Sequence, residues 1–191
     1  MGNLAAYSPM DRRHALVDGH ALPDRTMGAA LFADISGFTP LTEVLVQELG
    51  PQRGAEELTR YLNVVYDAVI DEVHRYHGSV LAFAGDAITC WFDGDEGRAA
   101  VTAAAAMQRV MARFGALATP AGMVVQLAMK AAVATGPARR FLVGDPAIRL
   151  LDALAGEMLA RLANAEHHAR KGEVVVDAAT AEALGTRVQL G

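Results

Sequence analysis

Two apolar runs of strand length, Ser79 to Ala84 and Ala87 to Phe92, are separated only by Gly85-Asp86. A two-residue break containing glycine between such runs is the signature of a β-hairpin. The chain therefore has to build antiparallel sheet. Ala29 to Ile35 is a third apolar run, and it reads as a central strand. Around these runs lie helical stretches. Thr39-Pro40 with Glu43 predicts a helix start, Thr39 as N-cap and Pro40 as the first helical residue. That helix ends near Gly50-Pro51. From Gly54 to about His77, Leu58, Leu62, Val65, Val69 and Val73 advance by four, three, four and four, which is one face of a helix. A hairpin set between helices predicts an α+β fold, a ferredoxin-like antiparallel sheet covered by helices.

The rest of the chain is read in the same way. Residues 1–27, with Pro9, Pro23 and clustered charges, read as a lead-in or linker that packs loosely, and 28–191 as the domain proper. An alanine-rich helix is expected from about Gly97 to Phe114. A long strand is expected over 123–134, a turn at Thr135-Gly136-Pro137 and a short strand over 140–144. Residues 146–170 read as helix broken near Gly156, 173–177 as a β-branched strand and 178–184 as a closing helix.

Hydrophobic residues make up 52% of the 191, which excludes disorder for the bulk of the chain. Aromatic residues are only 6%, so the expected core is close-packed and aliphatic. A net charge of −5 argues against a nucleic-acid surface. It leaves phosphate ligands open, because bound cations offset acidic groups. No apolar run approaches the ~20 residues of a membrane span. The single cysteine, Cys90, lies in an apolar run and reads as buried filler. With no possible internal disulfide and no charged-then-apolar leader pattern, a cytoplasmic protein is expected.

The chemistry sits where the strands stop. Asp34 closes the first strand and Asp86 occupies the hairpin turn. If the hairpin lies beside the first strand, the two carboxylates converge and can share divalent cations, whose hardness suits oxygen ligands. Ser36-Gly37-Phe38-Thr39 then leads into a helix N-terminus. Gly37 allows close backbone approach, free N–H groups favour phosphate oxygens, and Phe38 covers the loop. The same aspartates also suit plain turn-forming roles. Two histidine pairs, His74/His77 and His167/His168, read as ordinary helix residues. Arg139-Arg140 reads as a solvated charge pair.

Ala33-Asp34-Ile35-Ser36-Gly37-Phe38-Thr39 and Phe83-Ala84-Gly85-Asp86-Ala87 together resemble the class III adenylate/guanylate cyclase catalytic domain. The likeness runs over about residues 28 to 185. It is nearest to the first cyclase half of soluble, bicarbonate-type adenylyl cyclases, through Arg53-Gly54-Ala55-Glu56-Glu57-Leu58 as well. The resemblance implies the class III cyclase fold and conversion of ATP (or GTP) to the cyclic nucleotide and pyrophosphate. It implies two Mg²⁺ (or Mn²⁺) on Asp34, the Ile35 carbonyl and Asp86. It implies phosphate binding by residues 36–39 and by Lys130, and a site shared within a homodimer or with a second cyclase domain. Departures fall in the complementary half of that site. Ala82 stands where the family has a base-reading lysine. The family's Asn/Arg pair is matched by Glu157 and Arg161, or by Ala160 and Asn164 in a shifted register. Arg161 is the candidate catalytic residue of that half. A partner-dependent cyclase is thus expected. A nucleotide-binding or dimerisation module and another two-metal phosphoryl enzyme are the alternatives.

Overall fold

At the middle of the sheet lies β1 (Arg25–Ser36), and its neighbours fix where everything else goes. The structure is a computed structural model that describes residues 9–145 and 149–185. Around β1 are α1 (Met10–Val17), α2 (Phe38–Leu49), α3 (Pro51–Arg75), β2 (Ser79–Ala84), β3 (Ala87–Asp93) and α4 (Arg98–Met111). Next come β4 (Leu117–Ala118), β5 (Val124–Val125), β6 (Ala128–Asp145), β7 (Arg149–Ala155), α5 (Glu157–His168), β8 (Val174–Val176) and α6 (Ala178–Leu184). The main sheet has the order β2-β3-β1-β6-β7, with β8 joined to β6. All its pairings are antiparallel except β6 with β8. The α+β sheet-and-helix architecture expected from the sequence is the one observed.

Side-chain alternation along β1 divides the interior into two layers. Leu31, Ala33 and Ile35 pack with Leu41 and Leu45 of α2, Val65 and Val69 of α3 and Met107 of α4. Ala30 faces the other way, with Trp91, Ala132, Ala134 and, from α5, Met158 and Leu162. Small side chains on the central strands let helices approach the sheet closely. Buried alanines at 29, 30, 33, 131, 132 and 134 carry out the expectation of an aliphatic, aromatic-poor core. Cys90 is buried as expected, and burial pushes its thiol pKa well up, which keeps it unreactive.

Four local expectations are corrected. First, α2 starts at Phe38 with Gly37 as N-cap, not at Pro40 with Thr39 as cap, and no side chain caps it. Gly37 adopts φ 111°, which turns the chain into the helix one residue before Phe38. A Cβ there would lie 2.4 Å from the Gln126 carbonyl oxygen, so only glycine fits. Second, Thr135-Gly136-Pro137 is not a turn. β6 runs through it as one 18-residue strand because β1 pairs with it over 128–139, with Gly136 opposite Gly28 and Pro137 opposite Met27.

Third, 149–155 is strand rather than helix. Its Leu and Ala residues are good helix formers, but pairing of Arg139–Asp145 with this segment overrides that preference. Helix is confined to α5, beyond Gly156. Fourth, the segment 10–17 is a docked helix, not a loose lead-in. Asp11 binds Arg140, and Arg12 Nε donates to Asp152 Oδ2 at 2.7 Å. Residues 1–8 of the expected lead-in, 146–148 of the expected helix and 186–191 of the expected domain lie outside the described residues.

Candidate active site

Backbone register brings the two aspartates to one end of the sheet. Asp34 of β1 lies opposite Ala87 on β3, the residue after Asp86. The Ile35 N–H donates to the Asp86 carbonyl at 3.2 Å, which ties the end of β1 to the hairpin turn. Gly85 holds that turn with φ 64°, a conformation that costs glycine little. Asp86 is exposed at its tip, and Asp34 is partly exposed. Both aspartates push up the pKa of the Tyr66 hydroxyl, after burial as the larger cause, so both carboxylates lie near that hydroxyl.

Lys130 faces Asp34 across the β1–β6 pair. Its Nζ lies 3.5 Å from Asp34 Oδ2 and 2.6 Å from Glu166 Oε1 on α5. The Glu166 hydrogen bond is the main reason that the Lys130 pKa is raised. Lys130 is therefore a cation at this end of the sheet, held between two acids. The loop 36–39 borders the same end. Ser36 Oγ donates to the Ala128 carbonyl at 3.3 Å, Phe38 is buried, and Thr39 is exposed. Phe38 stacks on Tyr66 with centroids 6.0 Å apart, and Tyr66 meets Phe83 edge-on at 5.6 Å. Phe38 thus points inward from the loop and joins the core beneath it.

Hard oxygen donors and one flanking cation make a set that fits a divalent cation carrying phosphates. At Gly37 the space a Cβ would take is filled by the Gln126 carbonyl and Leu127, so this glycine serves the packing of the loop against its own chain. Asp34 and Asp86 are the residues that would hold the cation, with the Ile35 carbonyl adjacent.

Arg161 stands elsewhere. It lies on α5, pairs with Asp177 and donates from Nη2 to the Thr135 carbonyl at 2.7 Å. Thr135 is five residues along β6 from Lys130, about 17 Å of strand. One chain therefore does not bring Arg161 to Asp34. Ala82 is on β2, in the wall of a cleft also lined by Met10, Arg13, His74 and Asp152. Arg140 is not the solvated charge read from the sequence. It is buried between Asp11 and Asp152, and its Nη2 lies 2.7 Å from Asp152 Oδ2. His74 is half-buried, and no cluster of three or more metal-binding side chains occurs among the described residues.

Sequence reasoning missed Tyr66 and Glu166. Tyr66 flanks the apolar stripe of α3, four residues after Leu62 and three before Val69, and a hydroxyl-bearing ring beside an otherwise aliphatic stripe was the one available signal. Glu166 has no local signal, because its role depends on α5 crossing the end of β6.

Comparison with known proteins bears on the fold. No family model matches the chain. Over 90 residues, 44% of its length, it is 40% identical to adenylate cyclase type 10 of Homo sapiens. The counterpart from Oryctolagus cuniculus is 43% identical over 61 residues. The matched stretch spans only 5% of the human relative. Among solved structures, the adenylyl cyclase CyaB from P. aeruginosa superposes with TM-score 0.64 at 23% identity, over 84% of this chain and 81% of that one. The guanylyl cyclase Cya2 gives 0.68 at 22% identity, over 88% and 83%. The chain has the class III nucleotidyl cyclase fold. Within this cyclase fold, the Asp34–Asp86 end is assembled by β1, the β2–β3 hairpin and the start of α2. No helix among the described residues is long and apolar enough to cross a membrane.

Proposed function

We propose that this cyclase-fold domain supplies the cation and phosphate half of an adenylyl cyclase site, in the cytoplasm, and acts with a complementary cyclase domain. The observation that carries the reading is the placement of Asp34 and Asp86 at one end of the sheet, through the Asp34–Ala87 register and the Ile35–Asp86 backbone hydrogen bond. ATP is favoured over GTP by the adenylate cyclase relatives of the matched stretch.

In this reading the ribose 3′-hydroxyl loses its proton to solvent and its oxygen bonds to the α-phosphorus while the bond to the β-phosphate oxygen breaks, giving cyclic AMP and pyrophosphate. Two Mg²⁺ or Mn²⁺ ions, when bound, supply charge stabilisation at the reacting phosphate. Asp34 and Asp86 hold those ions through carboxylate oxygens. The backbone N–H groups at the start of α2 bind phosphate oxygens, helped by the helix dipole. Phe38, packed on Tyr66, keeps water from the inner side of the loop. Lys130 leaves Asp34 for the terminal phosphate and brings its charge to the leaving pyrophosphate. Arg161 serves the transition state of a site completed by another domain, because its own chain keeps it far from Asp34.

Turnover of ATP with Mn²⁺ tests this. The chain alone should form almost no cyclic AMP. Adding a complementary cyclase domain should give robust product, and Asp34→Ala should abolish it. Robust Asp34-dependent product from the chain alone would remove the need for a partner.

A second reading is favoured by Ala82 and by Glu157 in place of the amide: a domain that binds nucleotide without turning it over. Calorimetry with ATP and Mn²⁺ separates the two. Binding with no turnover, even after the complement is supplied, selects the second.

A further inference from the structure

The Tyr66 hydroxyl is buried at the mouth of the candidate site and has no hydrogen-bond partner among the described residues. Such groups are rare in folded proteins and call for an explanation. The hydroxyl oxygen is sealed from solvent, so no bulk water satisfies it. Its ring is fixed from two sides, by Phe38 at the opening of α2 and by Phe83 three residues before Asp86. These are the two segments that carry the phosphate-facing loop and the hairpin aspartate. A ring wedged between them is placed to hold both.

The groups whose charge reaches this hydroxyl are Asp86 and Asp34. Ionised carboxylates only accept, so toward either of them a phenol can act only as the donor. Asp34 is meanwhile drawn toward Lys130. No side chain among the described residues donates to the Asp86 carboxylate, which rides on an exposed turn.

We propose that Tyr66 is a positioning residue of the cation site: when a divalent cation and triphosphate bind, its hydroxyl donates to the Asp34–Asp86 carboxylate pair and fixes their orientation. This rests on the reading of Asp34 and Asp86 as cation ligands. It explains why the flank of the apolar stripe of α3 sends a polar tip to this end of the sheet. It also gives the orphan hydroxyl a partner in the loaded state. Aligning ligands through a neighbouring donor is a common way to strengthen a cation site.

Tyr66→Phe tests the proposal, because both ring contacts survive and the variant should fold. Two quantities are measured on the whole chain. One is affinity for Mn²⁺ with α,β-methylene-ATP, by calorimetry and by the Mn²⁺ electron paramagnetic resonance signal. The other is melting temperature without ligand. A hydrogen bond to an ionised group predicts affinity weakened about tenfold. Removing an unsatisfied buried hydroxyl predicts a ligand-free melting temperature that is unchanged or raised by about 2 °C. This pairing of opposite signs is the supporting result, since a structural hydroxyl would lower stability. Unchanged affinity, or a lowered ligand-free melting temperature, overturns the proposal. Asp34→Ala separates the two levels of inference. If the unmodified chain binds and Asp34→Ala does not, while Tyr66→Phe binds normally, only the role of Tyr66 falls. If the unmodified chain takes up neither Mn²⁺ nor the analogue, the cation site and the role of Tyr66 fall together.

Discussion

Two groups of charges in this domain are built on opposite plans. Beneath α1, the Arg140 side chain is 2% exposed and the Asp152 carboxylate is shielded from solvent, and Asp11, Arg12 and these two form a chain of ion pairs. Burial on its own raises the Asp11 pKa, but the Arg140 hydrogen bond and charge outweigh it and hold the carboxyl below its ordinary value. At the Asp34 end, Asp34 and Lys130 are 29% and 27% exposed and 3.5 Å apart, Asp86 is free at a turn, and the Tyr66 hydroxyl is unpartnered. The first group pairs its charges with one another and holds a helix in place. The second keeps capacity in reserve, as a site for an ionic ligand must. Both use aspartates and basic side chains, so residue type alone does not tell scaffold from site.

The contrast predicts different losses on removing an aspartate. Asp34→Ala should cost the cyclase reaction, measured with a complementary domain, about 10³-fold or more, because several kcal/mol of charge stabilisation depend on the cation it holds. Its melting temperature should move little. A loss under tenfold would place the cation elsewhere. Asp152→Ala should do the reverse. It leaves the buried Arg140 guanidinium short of a partner and should cost about 3–5 kcal/mol in denaturant unfolding. A loss under 1 kcal/mol would mean that the network is solvated and that α1 is held by other contacts.

How much of this contrast was legible in the sequence follows from how local each signal is. The hairpin and its Asp86 were readable because Gly-Asp between apolar runs is a statement about adjacent residues, whereas the N-cap role of Gly37 was hidden by the stronger Thr39-Pro40 signal. β7 was not readable. Leu150 to Ala155 has helix-forming composition, and only the distant partner strand makes it extended. Arg140 looked solvated because the acids that bury it, Asp11 and Asp152, are 129 and 12 residues away. Tyr66 and Glu166 failed for the same reason, since their meaning lies in what another element brings to them. The family likeness supplied Lys130, but not the fact that Asp34 and Glu166 already hold it.

That restraint on Lys130 gives a smaller prediction. Glu166→Gln removes the 2.6 Å ion pair and leaves Lys130 to Asp34 and the ligand. Affinity for Mn²⁺ with α,β-methylene-ATP should rise about two- to fivefold, and stability should change by less than about 1 kcal/mol, as for a partly exposed pair. Weaker binding would show instead that Glu166 presents the lysine to phosphate, which would move Glu166 from the restraining side of the comparison to the binding side.

The smallest expected effect lies at the scaffold end and depends on pH. Burial lowers the His74 pKa from its ordinary 6.5, Asp71 opposes this, and Arg13 and His14 of α1 add to it. A histidine whose folded pKa is depressed is favoured neutral, so the unfolded chain takes up its proton first as pH falls. Stability from this group is therefore complete above 6.5, declines as pH drops through 6.5, and is fully lost below the folded pKa. Asp11 has the opposite window. Its folded pKa is below 3.8, so its contribution persists down to that range and disappears only in stronger acid. Between pH 7.5 and 5.5 the denaturant midpoint should thus fall slightly, with faster amide exchange in α1 while β1 stays protected. His74→Gln should flatten the change over this interval. If the slope survives that substitution, α1 docking does not sense His74, and the scaffold group is as insensitive to mild acid as its ion pairs alone would make it.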